Sequence, residues 1–251
     1  MTFEPYSFLM IASIMLALVL SGSVKGVFGI GFPVVAMAIL PLFITPISAI
    51  TVIALPILVT NIQQLFSEKE WRRIIIKYRY MALFMLLASF LSSQILTQIS
   101  VDLITAIIGF ALALFAIYSL FNFTLPITTH SSWQIIAGAS SGLLSGMTGI
   151  QSTAIIYFAS LDISRNEFVG AVGYIFLVGG LGLSIGLINN NFLNSSTVML
   201  SLFGVLFSVV GFKLGSLLRP YIHSELFKKL LFLLMLIIGM KQIYQFFANS
   251  I

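Results

Sequence analysis

Residues 21–33 of this 251-residue chain read SGSVKGVFGIGFP, and residues 141–153 read SGLLSGMTGIQST. The two stretches align without a gap, so that a serine, three glycines and an isoleucine recur at an offset of 120. Each copy is a glycine-rich interruption inside a long apolar run. In membrane proteins, paired interruptions at corresponding positions of two halves indicate where a substrate binds.

The composition is typical of an integral membrane protein. The chain is 59% hydrophobic and only 8% charged, with a mean hydropathy of +1.12, whereas soluble domains carry roughly 25% charged residues. We interpret the net charge of +5 as a signal of membrane orientation, so the bilayer and not nucleic acid is the expected partner. The absence of cysteine excludes disulfides, thiolate metal sites and cysteine nucleophiles.

Eight apolar runs are long enough to cross a bilayer, which needs ~20 residues of helix. The runs cover residues 7–40, 45–66, 78–99, 103–121, 131–160, 167–189, 197–218 and 226–247. The first is too long for one crossing, because ~34 helical residues measure ~51 Å against a ~30 Å hydrocarbon core. The fifth is also long, and both contain the glycine break. We therefore expect each to be discontinuous, either as a broken crossing or as a re-entrant hairpin.

The duplication continues beyond the breaks. Residues 89–93 (SFLSS) align with residues 211–215 (GFKLG) at an offset of 122. Eight runs divide into four and four, and an even number of crossings gives both halves the same orientation. The sequence thus predicts an all-α integral membrane protein with about eight transmembrane helices, arranged as two parallel four-helix repeats with broken glycine-rich helices. The predicted repeats are residues 1–122 and 123–251.

Basic residues orient the chain. On a count of eight crossings, one side carries Lys69, Arg72, Arg73, Lys77, Arg79 and Lys241, and the other carries Arg165, Arg219, Lys228 and Lys229. The positive-inside rule then places the 69–79 loop and both termini in the cytoplasm of a multi-pass protein of the cell membrane, the inner membrane of a bacterium. The same count places Ser67 and Ser164 on opposite faces.

Several stretches resemble one known family. KGVFGIGFPVVAMAILP (25–41) followed by LPILVTNIQQLF (55–66) resembles the first half of the TauE/SafE sulfite-exporter family. GLLSGMTGIQSTAIIYFASLDISRNEFVGAVGYIF (142–176) resembles its second half, and GFKLGSLLRPYI (211–222) resembles its ending. The resemblance covers nearly the whole chain and implies a transporter of sulfite, sulfonates or related organosulfur anions. Phe32 and Ser152 depart from the three near-consecutive glycines of many members.

The breaks have the chemistry of an anion site. Unwinding frees backbone groups that can become ligands, and the following half-helix directs the positive end of its dipole at the bilayer centre. The candidate substrate-binding residues are Lys25, Gly26, Gly29, Gly31, Asn61, Gln64, Ser145, Thr148, Gly149, Gln151 and Ser152. The alternative is that the glycines serve helix packing and that the polar side chains form interhelical hydrogen bonds.

Lys25 is the most suggestive charge, since an ionisable residue inside a membrane indicates function. It either attracts an anion, or acts as a proton-coupled switch, or snorkels to an interface. In the second copy Ser145 replaces it. Asn61 and Gln64 are three residues apart and share a helix face. Ser164 and Glu167 have the spacing of a capping box, which indicates helix initiation.

These features favour a secondary transporter of a small mono- or dianion that works by alternating access at the interface of the two repeats. A polytopic membrane enzyme and a non-transporting scaffold are the alternatives. The chain lacks the GxxxxGK[ST], HExxH and GxSxG motifs, and His130 and His223 have no ligand-spaced partners, so no cofactor and no metal are expected. A transporter should have a cavity between the two breaks, whereas a scaffold should have them packed. The sequence leaves the oligomeric state open.

Overall fold

The computed structural model describes residues 8–121, 125–218, 221 and 224–249, and within them every regular element is a helix. Arg219, Pro220 and His223 lie outside the described residues, as does the predicted repeat boundary at 122/123. The helices are α1 (Phe8–Phe28), α2 (Phe32–Ile39), α3 (Pro46–Phe66), α4 (Trp71–Lys77), α5 (Arg79–Gln94), α6 (Val101–Phe121), α7 (Ser131–Thr148), α8 (Ser152–Ala159), α9 (Arg165–Asn189), α10 (Ser195–Leu218) and α11 (Ser224–Asn249). Leu40–Leu42 and Ile95–Thr97 add single turns of 3₁₀-helix.

Seven described helices are long and apolar enough to cross a membrane, which confirms an all-helical, multi-pass membrane protein. They are Met10–Phe28, Pro46–Phe66, Arg79–Thr97, Val101–Phe121, Arg165–Asn189, Thr197–Leu218 and Lys229–Ala248. The predicted crossing at residues 131–160 includes α7, which is not among the seven. Its sequence SSWQIIAGASSGLLSGMT is rich in serine and glycine, and this composition lowers its hydropathy.

Sequence signals account for two of the helix starts. Thr45 accepts a hydrogen bond from the backbone N–H of Ser48, and Pro46 occupies the first helical position of α3, where its missing N–H costs nothing. Ser164 accepts from the backbone N–H of Glu167 at the start of α9. The predicted helix initiation at Ser164 is therefore confirmed.

Each glycine break is narrower than the repeated stretch that predicts it. Only residues 29–31 and 149–151 are non-helical. Gly29, Gly31 and Gly149 have φ of 81°, 100° and 72°, a region that side chains with a Cβ rarely adopt. The two breaks begin with the same bond, from Gly29 N–H to the Lys25 carbonyl and from Gly149 N–H to the Ser145 carbonyl, each 2.7 Å. Lys25 therefore lies in the last turn of α1 and not, as predicted, in the unwound segment.

The chain reverses direction at the second break. The backbone N–H of Ala154 in α8 donates to the Ser141 hydroxyl in α7 at 3.3 Å. Further along α8, the Tyr157 hydroxyl donates to the carbonyl of Thr128, just before α7 begins. α7 and α8 therefore form a re-entrant hairpin that returns to the side from which it entered.

The first break also ends in a re-entrant hairpin. α1 and α3 both run parallel to α10, with Gly22 against Ser208, Gly26 against Phe212, and Val52 bonded to Ser201. α1 and α3 therefore begin at the same end of the bundle. α2 starts late along α3, where Phe32 and Gln64 line one crevice. Since only residues 43–45 separate the 3₁₀ turn after α2 from α3, α2 returns to the end where α1 began.

The loops around α4 and before α9 lie on the same face of the bundle. The Lys77 ammonium contacts the Glu167 carboxylate at 2.5 Å. We call this the basic face, defined by residues 67–79, and the face that carries residues 190–195 the opposite face. The predicted placement of Ser67 and Ser164 on opposite faces is wrong, because only two crossings, α5 and α6, and the α7–α8 hairpin lie between them, and both residues line one cleft. Three crossings, α3, α5 and α6, separate the two hairpins, so the hairpins enter from opposite faces and do not fit two parallel four-crossing repeats.

The sequence analysis placed both termini on the side of the 69–79 loop; residues 1–7 and 250–251 lie outside the described residues, and the first and last described helices run in the other direction. α1 begins at the opposite face, since it runs parallel to α10, which starts there. α11 runs antiparallel to α6, with Gly239 between Gly109 and Ala113, and so it ends at the opposite face. The 69–79 loop itself contains a helix that the sequence analysis missed, α4, whose Ile74 is buried.

Candidate functional site

Lys25 is buried and bonded to the neighbouring helix. Its side chain is 3% exposed, and its ammonium donates to the Thr60 hydroxyl at 3.1 Å and to the Asn61 Oδ1 at 2.6 Å. The alternative that Lys25 snorkels to an interface does not hold, because the ammonium points across to α3. Thr60, which the candidate set omitted, is thus part of the site.

The acceptors of this ammonium are held in place by their own helix. The Thr60 hydroxyl donates to the Pro56 carbonyl at 2.8 Å, and the Asn61 amide nitrogen donates to the Ile57 carbonyl at 2.7 Å. Asn61 must therefore present its oxygen to Lys25. Pro56 has no N–H for the Val52 carbonyl, and the Ser201 hydroxyl of α10 bonds that carbonyl at 3.0 Å instead.

A narrow crevice adjoins Lys25 at the first break. Five of the predicted site residues line it, together with five apolar neighbours: Lys25, Gly29, Gly31, Asn61 and Gln64, with Ile30, Phe32, Pro33, Val172 and Phe176. The first turn of α2 therefore opens onto the crevice, and its dipole favours negative charge there. In this conformation the crevice is too tight to admit a water molecule.

The electrostatics of the crevice favour an anion. Among the described residues, Lys25 is bonded to two neutral oxygens and to no acidic side chain. An ammonium has three N–H donors, so one donor and the full charge remain available. A buried charge without a counter-ion is costly, and a small anion in the crevice would reduce that cost.

Gln64 has an unused acceptor beside this crevice. Its amide nitrogen donates to the Val169 carbonyl of α9 at 2.8 Å, which fixes the orientation of the amide. Its Oε1 is buried without a hydrogen-bond partner. Buried polar atoms are nearly always paired, and this oxygen would take a hydrogen-bond donor, so it does not itself bind an anion.

The second break is closed by its own side chains. Gln151 donates through its amide nitrogen to the Ser145 hydroxyl at 3.1 Å and to the Phe176 carbonyl at 3.4 Å. The Thr148 hydroxyl donates to the Leu144 carbonyl before the break and accepts from the backbone N–H of Ile150 within it. These residues and Ser152 are fully buried, and Gln151 Oε1 and Ser152 Oγ have no partner. The structure thus does not bring them into the Lys25 crevice.

A comparison with known families covers both breaks. The family model described as Sulfite exporter TauE/SafE matches residues 14–242. The chain belongs to the TauE/SafE sulfite exporter family. The resemblance seen in the sequence is thereby confirmed, and the family places the molecule among membrane transporters. No curated protein and no solved structure gives a significant match.

Gly26 of the candidate set and Gly146 of the second repeated stretch serve packing in this TauE/SafE protein. A Cβ on Gly26 would overlap the Phe212 carbonyl of α10. A Cβ on Gly146 would overlap Ser89 and Ser92 of α5. Close helix approach through small residues is common in membranes. Gly26 and Gly146 therefore face neighbouring helices, whereas Gly29 and Gly31 line the crevice.

Phe176 lies at both breaks, between which the sequence analysis expected a cavity. The Phe176 side chain lines the first crevice, and its carbonyl accepts from Gln151 of the second break. Both breaks of this TauE/SafE protein thus contact the same residue of α9. Another charged residue within a span, Lys213, is exposed near the end of α10, which agrees with snorkelling.

Proposed function

We propose that this TauE/SafE family member is a secondary transporter that binds a small anion at Lys25 and moves it by alternating access. The observation that supports this most is the buried ammonium of Lys25, whose described partners are neutral oxygens. Sulfite, a sulfonate or a related organosulfur anion is the substrate class that fits the family. A catalytic role has no support of this kind, so we propose that the protein is not an enzyme.

The charge of the site limits the substrate. One lysine and the N-terminus of α2 together provide about 1.5 positive charge equivalents, taking ~0.5 for a helix terminus. That amount suits a mono- or dianion and not a polyphosphate. A metal cation or an amine would meet the Lys25 ammonium and be repelled.

We infer that residues 1–122 and 123–251 are two related halves of inverted orientation. The support is a set of matching contacts: α1 packs on α10 as α7 packs on α5, α3 packs on α10 as α9 packs on α5, and α6 packs on α11. The two hairpins also enter from opposite faces. Inverted repeats of this kind underlie alternating access in several transporter folds, because exchanging the conformations of the halves exposes a central site to the other side.

We propose that the basic face is cytoplasmic in the cell membrane. Described basic residues cluster at or near that face, namely Lys69, Arg72, Arg73, Lys77, Arg79, Arg165, Lys213 and Lys229, whereas Lys241 lies toward the opposite end. With the re-entrant hairpins counted, the charge bias is much stronger than the sequence count gave. α1 then begins, and α11 ends, on the outer side.

Proton coupling is a further part of the proposal. Lys25 can change its charge inside the protein, and the substrate can also carry a proton. The residues that line the crevice all belong to one chain, so the proposed site does not require an oligomer.

Flux measurements in proteoliposomes test this function. We expect saturable uptake of radiolabelled sulfite, sulfoacetate or thiosulfate. The other two anions, added without label, should inhibit the uptake. Sodium and a cationic amine serve as controls of opposite charge and should not be transported. Transport of either cation with no anion flux would overturn the proposal.

A further inference from the structure

A large cleft on the basic face lies next to the Lys25 crevice. It has about 630 Å³ of space for water and is lined by residues around α4 and at the start of α9, among them Ser67, Arg73, Ile74, Lys77, Ser164 and Glu167. The cleft is large enough for a hydrated anion, whereas the crevice has no space for a water molecule.

The first turns of α9 form the wall between these two spaces. Glu167 lines the cleft, Val172 lines the crevice, and their separation of five positions measures ~7.5 Å along a helix. Gly170 lies under α4, where a Cβ would be 2.5 Å from Ile74 Cδ1. The Val169 carbonyl accepts the hydrogen bond from Gln64. The Val169 side chain lies next to Gly29, where an added Cβ would be 3.7 Å from Val169 Cγ2.

One cluster ties this wall to the helices opposite. Glu167 Oε1 accepts from the Lys77 ammonium at 2.5 Å and from the Tyr78 hydroxyl at 2.8 Å. The three residues are called the gate cluster below. Burial and the Glu167 carboxylate raise the pKa of Tyr78, so its hydroxyl remains a donor. The ion pair of Lys77 and Glu167 is partly buried, with side-chain exposures of 32% and 25%. Solvent ions therefore screen it less than they screen a surface pair.

We propose that the basic-face cleft is the vestibule through which the anion reaches Lys25, and that the gate cluster holds this entrance closed in the present conformation. The inference rests on the proposed function for the identity of the ligand, but the access route is a property of the protein alone. Opening requires the start of α9 to separate from Ile74 and Gln64. That movement breaks the bonds of Glu167 and joins the cleft to the crevice.

Cysteine accessibility tests this route in the full chain without any substrate. The chain contains no cysteine, so Val172→Cys, buried in the crevice wall, is a unique reporter. A membrane-impermeant methanethiosulfonate reagent is applied to either side of sealed membranes. We expect Glu167→Gln to raise the labelling rate from the basic face about fivefold, the scale of losing one partly exposed ion pair.

Asn189→Ala is the matched control. Asn189 donates to Gln94 Oε1 at 2.6 Å, which ties α9 to α5 at the opposite face. This variant should leave labelling from the basic face unchanged. Tyr78→Phe removes one bond of the gate cluster without changing charge, and a smaller increase is expected from it even if Glu167→Gln fails to fold.

An unchanged rate in both gate variants, or faster labelling from the opposite face, would overturn the proposal. The result is separate from the transport assay. A protein that carries no anion can still show the labelling increase, and a protein that transports an anion can fail to show it.

Discussion

The Lys77 ammonium and the Glu167 carboxylate are in contact although the two residues are 90 positions apart in sequence. Lys77 ends α4, after the second predicted crossing, and Glu167 lies in the first turn of α9, after the second glycine break. The contact is possible only if the chain between them returns to the same face. It therefore decides that α7 and α8 form a hairpin and not one broken crossing.

Single cysteines at Ser67 and Asp162 should react with an impermeant thiol reagent from the same side of the membrane. A cysteine at Ser195, which begins α10 at the opposite face, should react from the other side. All three positions are exposed. Labelling of Ser67→Cys and Asp162→Cys from different sides would contradict the re-entrant hairpin.

Asn61→Asp should abolish anion binding while the protein remains folded. The new carboxylate would lie 2.6 Å from the Lys25 ammonium and would neutralise it as a buried ion pair, which leaves no net charge for the substrate. Affinity for sulfite in detergent is the measurement. Gln63→Glu is the control, because it adds the same charge on an exposed face of the same helix; equal loss in both variants would argue against a local effect.

Gly31→Ala should destabilise the protein by about 1–2 kcal/mol, the cost of a Cβ in the left-handed region. Space is not the cause, since the nearest atom to a Cβ there is Val24 Cγ1 at 3.4 Å. Gly31→Asn should cost less, because asparagine tolerates this backbone conformation. Thermal unfolding in detergent measures the difference. If the two variants unfold at the same temperature, backbone strain is not the reason for glycine at this position.

Gly26→Val should destabilise by about 1–3 kcal/mol through overpacking, since even a Cβ would overlap the Phe212 carbonyl. Leu16→Val, at a position of α1 that is 60% exposed, is the control. Loss of the folded fraction in Gly26→Val with little change in Leu16→Val is expected. A fully stable Gly26→Val that binds no anion would instead indicate that Gly26 acts in the site.

The sequence predicted the helices and the location of both breaks, but not the direction of the chain after each break. Apolar length is the same for a broken crossing and for a hairpin. The difference depends on contacts such as that of Ala154 with Ser141, which no periodicity encodes. The sequence analysis also missed α4 in the 69–79 loop. A helix of seven residues has too few positions to show a helical period of apolar residues.

The candidate site was predicted in part. Lys25, Asn61 and Gln64 line one crevice, because the long Lys25 side chain reaches across to α3. The second-break residues were grouped with them by analogy between the copies, yet Gln151 fills its own break through Ser145. Thr60 was omitted because a hydroxyl beside an asparagine carries no signal by itself, and only the reach of Lys25 across to α3 identifies it.

The most direct test of the central claim is the affinity of purified protein for sulfite in native, Lys25→Met, Lys25→Arg and Lys213→Met forms, measured by calorimetry at one pH. If the Lys25 ammonium binds the anion, Lys25→Met should lose at least ~10-fold in affinity, about 1.4 kcal/mol, while Lys25→Arg retains part of the binding. Lys213→Met should bind as the native protein does. Native affinity in Lys25→Met would contradict the assignment of the anion site to Lys25.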